Sequence, residues 1–285
     1  MQLMAEDDDL PTDYPINSAS HSLTTPEGNV HEKERTALLS FIAGNEDVHP
    51  SVYEGGLKSW ECSVDLTQYL STNHLQNPTN ILELGCGTSL PSLYLFQQAL
   101  QATKGAYTFH LADYNYSVLQ LVTLPNILLS WVQTTSPHLL TLPNGDLDVT
   151  EDLKSSFLSS LQSVGITIGF ISGSWGDEML SLLSSKQGSG YDLVLGSETI
   201  YEPRTIGEFT KVLLSALGTK GRGLVSAKRI YFGVGGSVGG FIELVRKRER
   251  EGEGWNVREV ETIEREKGGV GGVILEVKKE VEMSV

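Results

Sequence analysis

Cysteine is scarce in this chain: Cys62 and Cys86 are the only two among 285 residues. Two thiols do not make a disulfide framework. Cys86 also lies inside a glycine turn, where a bridge would obstruct a ligand, and this fits a reducing compartment. Long apolar runs are missing as well. No stretch of about twenty apolar residues occurs and no basic start leads into an apolar segment, so neither a membrane span nor a secretory signal is expected. Cations are in deficit, with 21 Lys and Arg against 36 Asp and Glu for a net charge of −15. That balance argues against general binding to a phosphate backbone, which needs clustered Lys and Arg. It leaves two readings, a solubilising surface or a match to a basic protein partner. The six histidines, His21, His31, His49, His74, His110 and His138, have no ligand spacing, so no metal is expected.

An apolar fraction of 39% is enough for a substantial core, in one large or two small domains. Residues 1–50 open on Glu6, Asp7, Asp8 and Asp9 and continue in Pro, Ser, Thr and Asn, the composition of a mobile acidic segment. Within it Ala37, Leu38, Phe41 and Ile42 recur at helical spacing and predict a short helix from His31 to Ile42. Residues 51–285 form the folded domain, with an apparent insertion at about 134–165 that holds a short amphipathic helix over Asp152 to Leu161.

The chain is organised around TNILELGCGTSLP, Thr79 to Pro91. Ile81, Leu82 and Leu84 give a strand, Gly85 and Gly87 a tight turn, and Leu90, Leu93, Leu95 and Phe96 the apolar face of a helix. Glycine in such a turn lets backbone approach a ligand at which the helix aims free N–H groups, and Glu83 would set a carboxylate beside it. Before this unit, Gly55 and Gly56 make a turn ahead of Trp60 and a helix carrying Val64, Leu66, Tyr69 and Leu70. Trp60 suits either a wall for a flat ring or a core position. After it, the strand from Tyr107 to Ala112 ends at Asp113, where nucleotide-binding α/β folds keep a carboxylate for ribose hydroxyls.

A helix from Tyr116 to Val132 follows, bent or divided by Pro125. The strand ITIGFIS ends at Gly173, Ser174 and Trp175, and YDLVLGSETIY gives a strand buried on both faces that ends in Ser197, Glu198, Thr199, Ile200 and Tyr201. Next come a helix over 204–217, a strand near Gly223 to Lys228 and a glycine-dense turn, Gly233, Gly235 and Gly236. That turn shapes a site rim or packs closely on the sheet. A helix over 237–250 and two strands near 255–263 and 270–277 close the chain as a hairpin, expected to put an antiparallel strand at the sheet edge. The sum is an α/β fold, a doubly wound, seven-stranded and mostly parallel sheet with a C-terminal antiparallel hairpin.

ELGCG, the acidic strand end and the hairpin resemble the Rossmann-like class I fold of S-adenosylmethionine-dependent methyltransferases; Ser89 stands where many of these keep a third glycine. YEGGLKSWECSVDL, ILELGCGTSLPS, DYNYSVLQLVTLPN, ISGSWG, SETIYEP and AKRIYFGVGGSVGGF together resemble the eukaryotic, fungal-type histidine protein methyltransferase family over about residues 50–250. The resemblance implies an enzyme that uses S-adenosyl-L-methionine to methylate the tau nitrogen of a histidine in the third protein of the large ribosomal subunit. It also implies action in cytoplasm and nucleus; the acidic charge and the missing apolar runs speak against nucleic acid and membrane as partners, and a monomer is expected. Carried onto this chain, it places Glu83, Gly85, Cys86, Gly87 and Ser89 at the methionine part of the cofactor. Asp113 goes to the ribose with Tyr114 and Asn115 beside it, Ser174 and Trp175 to the adenine, Trp60 over the pocket and Ser197 under the sulfonium.

Glu198 and Tyr201 become the catalytic candidates, with Lys228, Tyr231, Phe232, Gly233, Gly235 and Gly236 at the substrate. Imidazole, with a pKa of ~6.5, is largely neutral near pH 7, so the task is alignment and choice of tautomer rather than removal of a proton. Glu198 either accepts the pi N–H, freeing the tau lone pair, or anchors the substrate. A lysine methyltransferase of the same fold and a non-catalytic factor that binds a basic ribosomal protein are the alternatives.

Overall fold

The computed structural model describes residues 55–280 except 74, 76, 103–104, 141–146, 187–189, 232–234 and 266–268. The N-terminal segment and its expected helix from His31 to Ile42 lie outside the described residues. Strands β1 (Asn80–Leu84), β2 (Tyr107–Asp113), β3 (Ile166–Ser172), β4 (Tyr191–Ser197), β5 (Leu217–Lys228), β6 (Trp255–Ile263) and β7 (Gly272–Lys279) form one sheet in the order β3-β2-β1-β4-β5-β7-β6. The pairs β1·β2, β1·β4, β2·β3 and β4·β5 are parallel, and β7 is antiparallel to both β5 and β6.

Alternation along the strands builds two cores. Leu82, Leu84, Val194 and Val225 point to one face, under α6 (Asp177–Lys186), α7 (Pro203–Ala216) and α8 (Val238–Arg248). Ile81, Leu193, Leu195 and Leu224 point to the other. That second face is covered by α1 (Glu61–Thr72), α2 (Leu90–Gln101), α4 (Leu124–Thr135) and α5 (Glu151–Val164). Helices on both faces of a mostly parallel sheet make the doubly wound architecture that the alternating elements predict.

The hairpin differs from expectation in one respect. Its antiparallel strand, β7, lies inside the sheet, and β6, parallel to β5, is the edge. Composition explains the order. Val273, Ile274, Leu275 and Val277 are all buried, as an interior strand requires, whereas β6 exposes Arg258, Glu259 and Glu261, charges that blunt an edge. Glu276 on β7 is 1% exposed and ties the three strands, pairing with Arg222 on β5 at 2.5 Å and Arg258 on β6 at 2.6 Å. Burial opposes its ionisation, but Arg258, Arg222 and Lys278 together outweigh that and hold its pKa below the ordinary value.

Pro125 divides its helix as expected. A short helix, α3 (Tyr116–Val118), passes into a π turn (Leu119–Thr123), and α4 then starts with Pro125 in its first turn, where the missing N–H costs little. The stretch read as an insertion is packed rather than appended: α5 buries Leu153, Phe157 and Leu161, and the Phe157 ring meets Trp131 edge-on with centroids 5.4 Å apart. Thr150 caps this helix by accepting the Leu153 N–H, and Gly165 ends it in the left-handed region at φ 84°.

At the amino end of the strands, opposite the cleft described below, Asp192 Oδ2 accepts the N–H groups of Thr79 and Asn80 and the Thr79 hydroxyl, each at 2.9 Å. Burial pushes the Asp192 carboxyl up, but these bonds outweigh it and hold the pKa below the ordinary value. Asp192→Ala should lower the unfolding free energy by only about 1 kcal/mol, because the position is exposed and screened. The wild-type advantage is present above the unfolded pKa of about 3.9 and is lost as pH falls below it. Urea titrations at pH 7 and pH 3 check this, and ligand binding in the cleft should be unchanged.

Candidate active site

The carboxyl ends of the parallel strands open on one cleft of about 480 Å³, a size that suits a small organic cofactor. Its floor is the turn after β1. Gly85 and Gly87 adopt φ 66° and 48°, conformations that glycine reaches without strain. The turn is fastened from several sides. Cys86 N–H donates to Ala112 O at 2.9 Å, and Gly87 N–H donates to Asp113 Oδ2 at 2.9 Å. Thr123, delivered by the π turn, donates its hydroxyl to Gly87 O at 2.7 Å.

Asp113 is buried and lines the cleft. Its Oδ1 accepts Asn115 N–H at 3.1 Å, so both oxygens hold backbone donors and the carboxylate is fixed at the end of β2. The exposed Tyr114 also lines the cleft, whereas Asn115 is buried behind it. Trp175 and the exposed Ser174 form the wall beyond β3, with the Trp175 ring edge-on to Phe209 at 5.1 Å.

Glu83 and Ser89 lie behind the turn, not in the cleft. Both are 0% exposed, and Glu83 Oε2 accepts Ser92 N–H at 3.2 Å and the Ser89 hydroxyl at 3.4 Å. Alternation explains this: between Leu82 and Leu84, Glu83 must point to the opposite face, which α2 covers. Ser89 adopts φ 63°, a left-handed conformation that favours glycine, and its hydroxyl serves the buried carboxyl. Complete burial is the main reason the Glu83 carboxyl is pushed up to about 7, with the Ser92 and Ser89 hydrogen bonds opposing it.

The roof comes from the segment before α1. Gly56 and Gly87 touch backbone to backbone: a Cβ on Gly87 would lie 3.0 Å from Gly56 Cα, and one on Gly56 would lie 2.9 Å from Val118 Cγ1. This seats Trp60 at the cleft, with Lys58 Nζ 4.5 Å and Lys228 Nζ 5.5 Å from its ring centroid. Trp60 is also the N-cap of α1 and supplies no side-chain capping bond, though its carbonyl accepts the Ser63 N–H and hydroxyl; Glu61 in the first turn complements the helix end.

At the ends of β4 and β5 the cleft is charged. Ser197 lines it, and Glu198 follows at φ 54° with its N–H on Ser226 O at 3.0 Å. A non-glycine residue in that region is strained, and such strain gathers at functional sites. The Glu198 side chain is 10% exposed, and its Oε1 lies 3.5 Å from Lys228 Nζ without an aligned hydrogen bond. Lys228 also meets Glu61 at 3.0 Å. Burial opposes its protonation most, yet Glu61 and Glu198 together leave the Lys228 pKa raised. Burial, and then the Glu198 charge, push the Cys62 thiol and the Tyr231 phenol well up. Tyr231 and Tyr201 stack edge-on at 6.4 Å, and both line the cleft.

The glycine-dense turn is divided. Phe232 and Gly233 lie outside the described residues. Gly235 and Gly236 do not line the cleft: Gly236 donates its N–H to Tyr201 O at 2.8 Å, and a Cβ there would collide with the Tyr201 and Glu202 backbone. Of the two readings, close packing is observed for Gly236, whereas Gly235, at φ 86°, has room for a Cβ 3.5 Å from Pro203 Cγ. Sequence reading missed Thr88, Thr199, Glu202, Thr205 and Glu208, which also line the cleft. Pro203, at the first position of a helix directly after a strand end, was the available signal, since it aims the opening turn at the ligand edge. Among the described residues no group of three or more His, Cys, Asp or Glu could hold a metal ion, and no helix is long and apolar enough to cross a membrane.

Sheet order and cleft define a Rossmann-like, doubly wound α/β protein with a ligand-sized cleft at the carboxyl ends of its parallel strands. No protein-family model matches the chain. It is similar to histidine protein methyltransferase 1 of Schizosaccharomyces pombe, 39% identical over 212 residues, 73% of this chain and 62% of that protein. The protein of the same name from Saccharomyces cerevisiae is 38% identical over 237 residues, 75% of this chain and 62% of its own length. A Bos taurus homolog is 35% identical over 230 residues, covering 80% and 56%. These are homologues of the chain, which spans about six-tenths of the length of the curated relatives it matches. A solved Burkholderia thailandensis 1,6-didemethyltoxoflavin-N1-methyltransferase is 13% identical, with a TM-score of 0.46 over 93% of this chain and 94% of that one.

Glu83 gives this region a pH signature. Its folded pKa of about 7 exceeds the unfolded value of about 4.3, so the folded state binds more protons between them, and stability falls as pH rises through that window. Glu83→Gln removes the penalty. Relative to wild type it should gain stability from pH 4.5 to 7, on the order of 3 kcal/mol at most, and the difference should be flat above pH 7.5. Chemical unfolding at stepped pH measures it; a difference that does not change with pH contradicts the burial argument.

Proposed function

We propose that the protein is an S-adenosyl-L-methionine-dependent protein-histidine N-methyltransferase. Its substrate is the tau nitrogen of a histidine in the third protein of the large ribosomal subunit. The observation that carries the reading is the homology to proteins named for histidine methylation, which covers about three-quarters of this chain. The substrate protein, the monomeric state, and action in cytoplasm and nucleus without nucleic acid or membrane contact belong to the same proposal. A net charge of −15 suits a basic partner.

The residues present fit the cofactor. The cleft volume is adequate, Asp113 sets a fixed carboxylate in the lining where ribose hydroxyls would meet it, Gly85 and Gly87 expose backbone for the amino-acid part, and Trp60 and Trp175 offer flat apolar walls. When bound, S-adenosylmethionine supplies an electrophilic methyl group, so the protein's task is alignment and the exclusion of water. Glu198 accepts the pi N–H of the substrate imidazole, which leaves the tau lone pair free and stabilises the imidazolium that forms. Its strained, poorly exposed carboxylate with an unbonded Oε1 supports this role. Tyr201 and Tyr231 provide the ring-sized wall beside it. A lysine substrate fits less well, because Lys228 already sets an ammonium against the same carboxylate.

Incubation with labelled cofactor and a ribosomal protein extract should place label on tau-methylhistidine, identified by mass spectrometry of the hydrolysed product; methyllysine instead would overturn the assignment. Asp113→Asn, which retains an acceptor for Gly87, should weaken cofactor binding about tenfold or more in calorimetry. Glu198→Gln should cut turnover about a hundredfold with cofactor affinity unchanged. Normal turnover in that variant would remove the tautomer role.

A further inference from the structure

The resemblance puts Lys228 at the substrate, but its surroundings assign it another task. One ammonium lies between two carboxylates, 3.0 Å from Glu61 and 3.5 Å from Glu198, with the Trp60 ring centroid 5.5 Å away. Its own backbone N–H donates to the Tyr231 hydroxyl at 3.1 Å, so the main chain here is also tied to the cleft wall. Glu61 belongs to the first turn of α1 and is not among the residues that line the cleft. The same helix is anchored a turn later, where Asp65 pairs with Arg265 at 2.5 Å. Helix α1 is therefore held by charge on the side that faces Glu198.

We infer that Lys228 is a positioning residue: anchored on Glu61, it holds the Glu198 carboxylate by its Oε1 and so fixes the direction of that group at the wall of the cleft. The inference deepens the proposed function and rests on its assignment of Glu198 as the imidazole acceptor. Two features favour positioning over substrate contact. Both nearby carboxylates already engage the ammonium, and burial would disfavour Lys228 carrying a charge there without them. Glu198 also begins from a strained backbone, so a small change in what holds its side chain changes where the carboxylate points.

The test combines Lys228→Met, Lys228→Arg and Glu61→Gln with saturating cofactor and substrate protein. Lys228→Met should lower kcat about tenfold, leave KM for the substrate protein within about twofold, and divert a measurable share of product from tau- to pi-methylhistidine. Lys228→Arg should restore most of the rate and the tau preference. Glu61→Gln should show the same changes more weakly, because Glu61 lies outside the cleft and acts through its ion pair with Lys228. A raised KM with unchanged kcat in Lys228→Met would overturn the inference. A crystal structure of Lys228→Met with the Glu198 carboxylate unmoved would also overturn it, whatever the reaction. If wild type yields methyllysine, the proposed function fails instead, and a displaced Glu198 in that crystal structure still sustains the positioning role.

Discussion

Two peptide backbones in contact, at Gly56 and Gly87, set the geometry on which the site depends. A side chain at either position would meet the other's backbone or Val118, so the entrance segment can lie on the glycine turn only because both residues lack a Cβ. From this contact the chain runs directly to Trp60 and into α1. The first helical residue, Glu61, then reaches Lys228 at the far end of β5. Roof, floor and charged end of the cleft thus form one connected construction.

Buried acids do much of the fastening, and they are held in different ways. Asp113 accepts two backbone N–H groups and ties the ends of β1 and β2 together around the turn. Glu276 is ringed by cations and locks the reversed strand into the sheet. Glu83 has no cation and only weak hydrogen-bond support, so its carboxyl is raised where that of Glu276 is lowered. Both are shielded from solvent, but Glu83 lies deeper and burial prevails there, whereas the cations around Glu276 prevail over its desolvation.

Features encoded locally were legible in the sequence. The glycine turn, the acid ending β2, the cluster ending β4 and the proline break are read from neighbouring residues, and the structure has a turn, two strand ends and a divided helix there. Strand order at the hairpin was less plain, although the contrast between the apolar run Val273 to Leu275 and the charged Arg258 and Glu259 carried it. Glu83 was placed at the cleft because it precedes the glycines, while strict alternation sends it to the α2 face. Pairings between distant segments were not readable, because nothing near Glu61 in sequence indicates that its partner lies at the end of β5. The packing role of Gly236 was likewise invisible without the Tyr201 backbone beside it.

The charged end of the cleft has a consequence for the proposed chemistry. Glu61 and Glu198 face one ammonium, so with all three ionised the corner keeps a net negative charge. An imidazole that gains a methyl group becomes a cation, and an excess of negative charge already fixed beside it favours that change without reorganisation during the reaction. Low exposure strengthens the effect at Glu198, whereas Glu61, whose side chain is 55% exposed, is largely screened and acts mainly as an anchor. Lys228 then serves two needs at once. It makes a buried carboxylate tolerable in the folded protein, and by dividing its charge between two partners it leaves Glu198 the negative potential that the proposed reaction calls for.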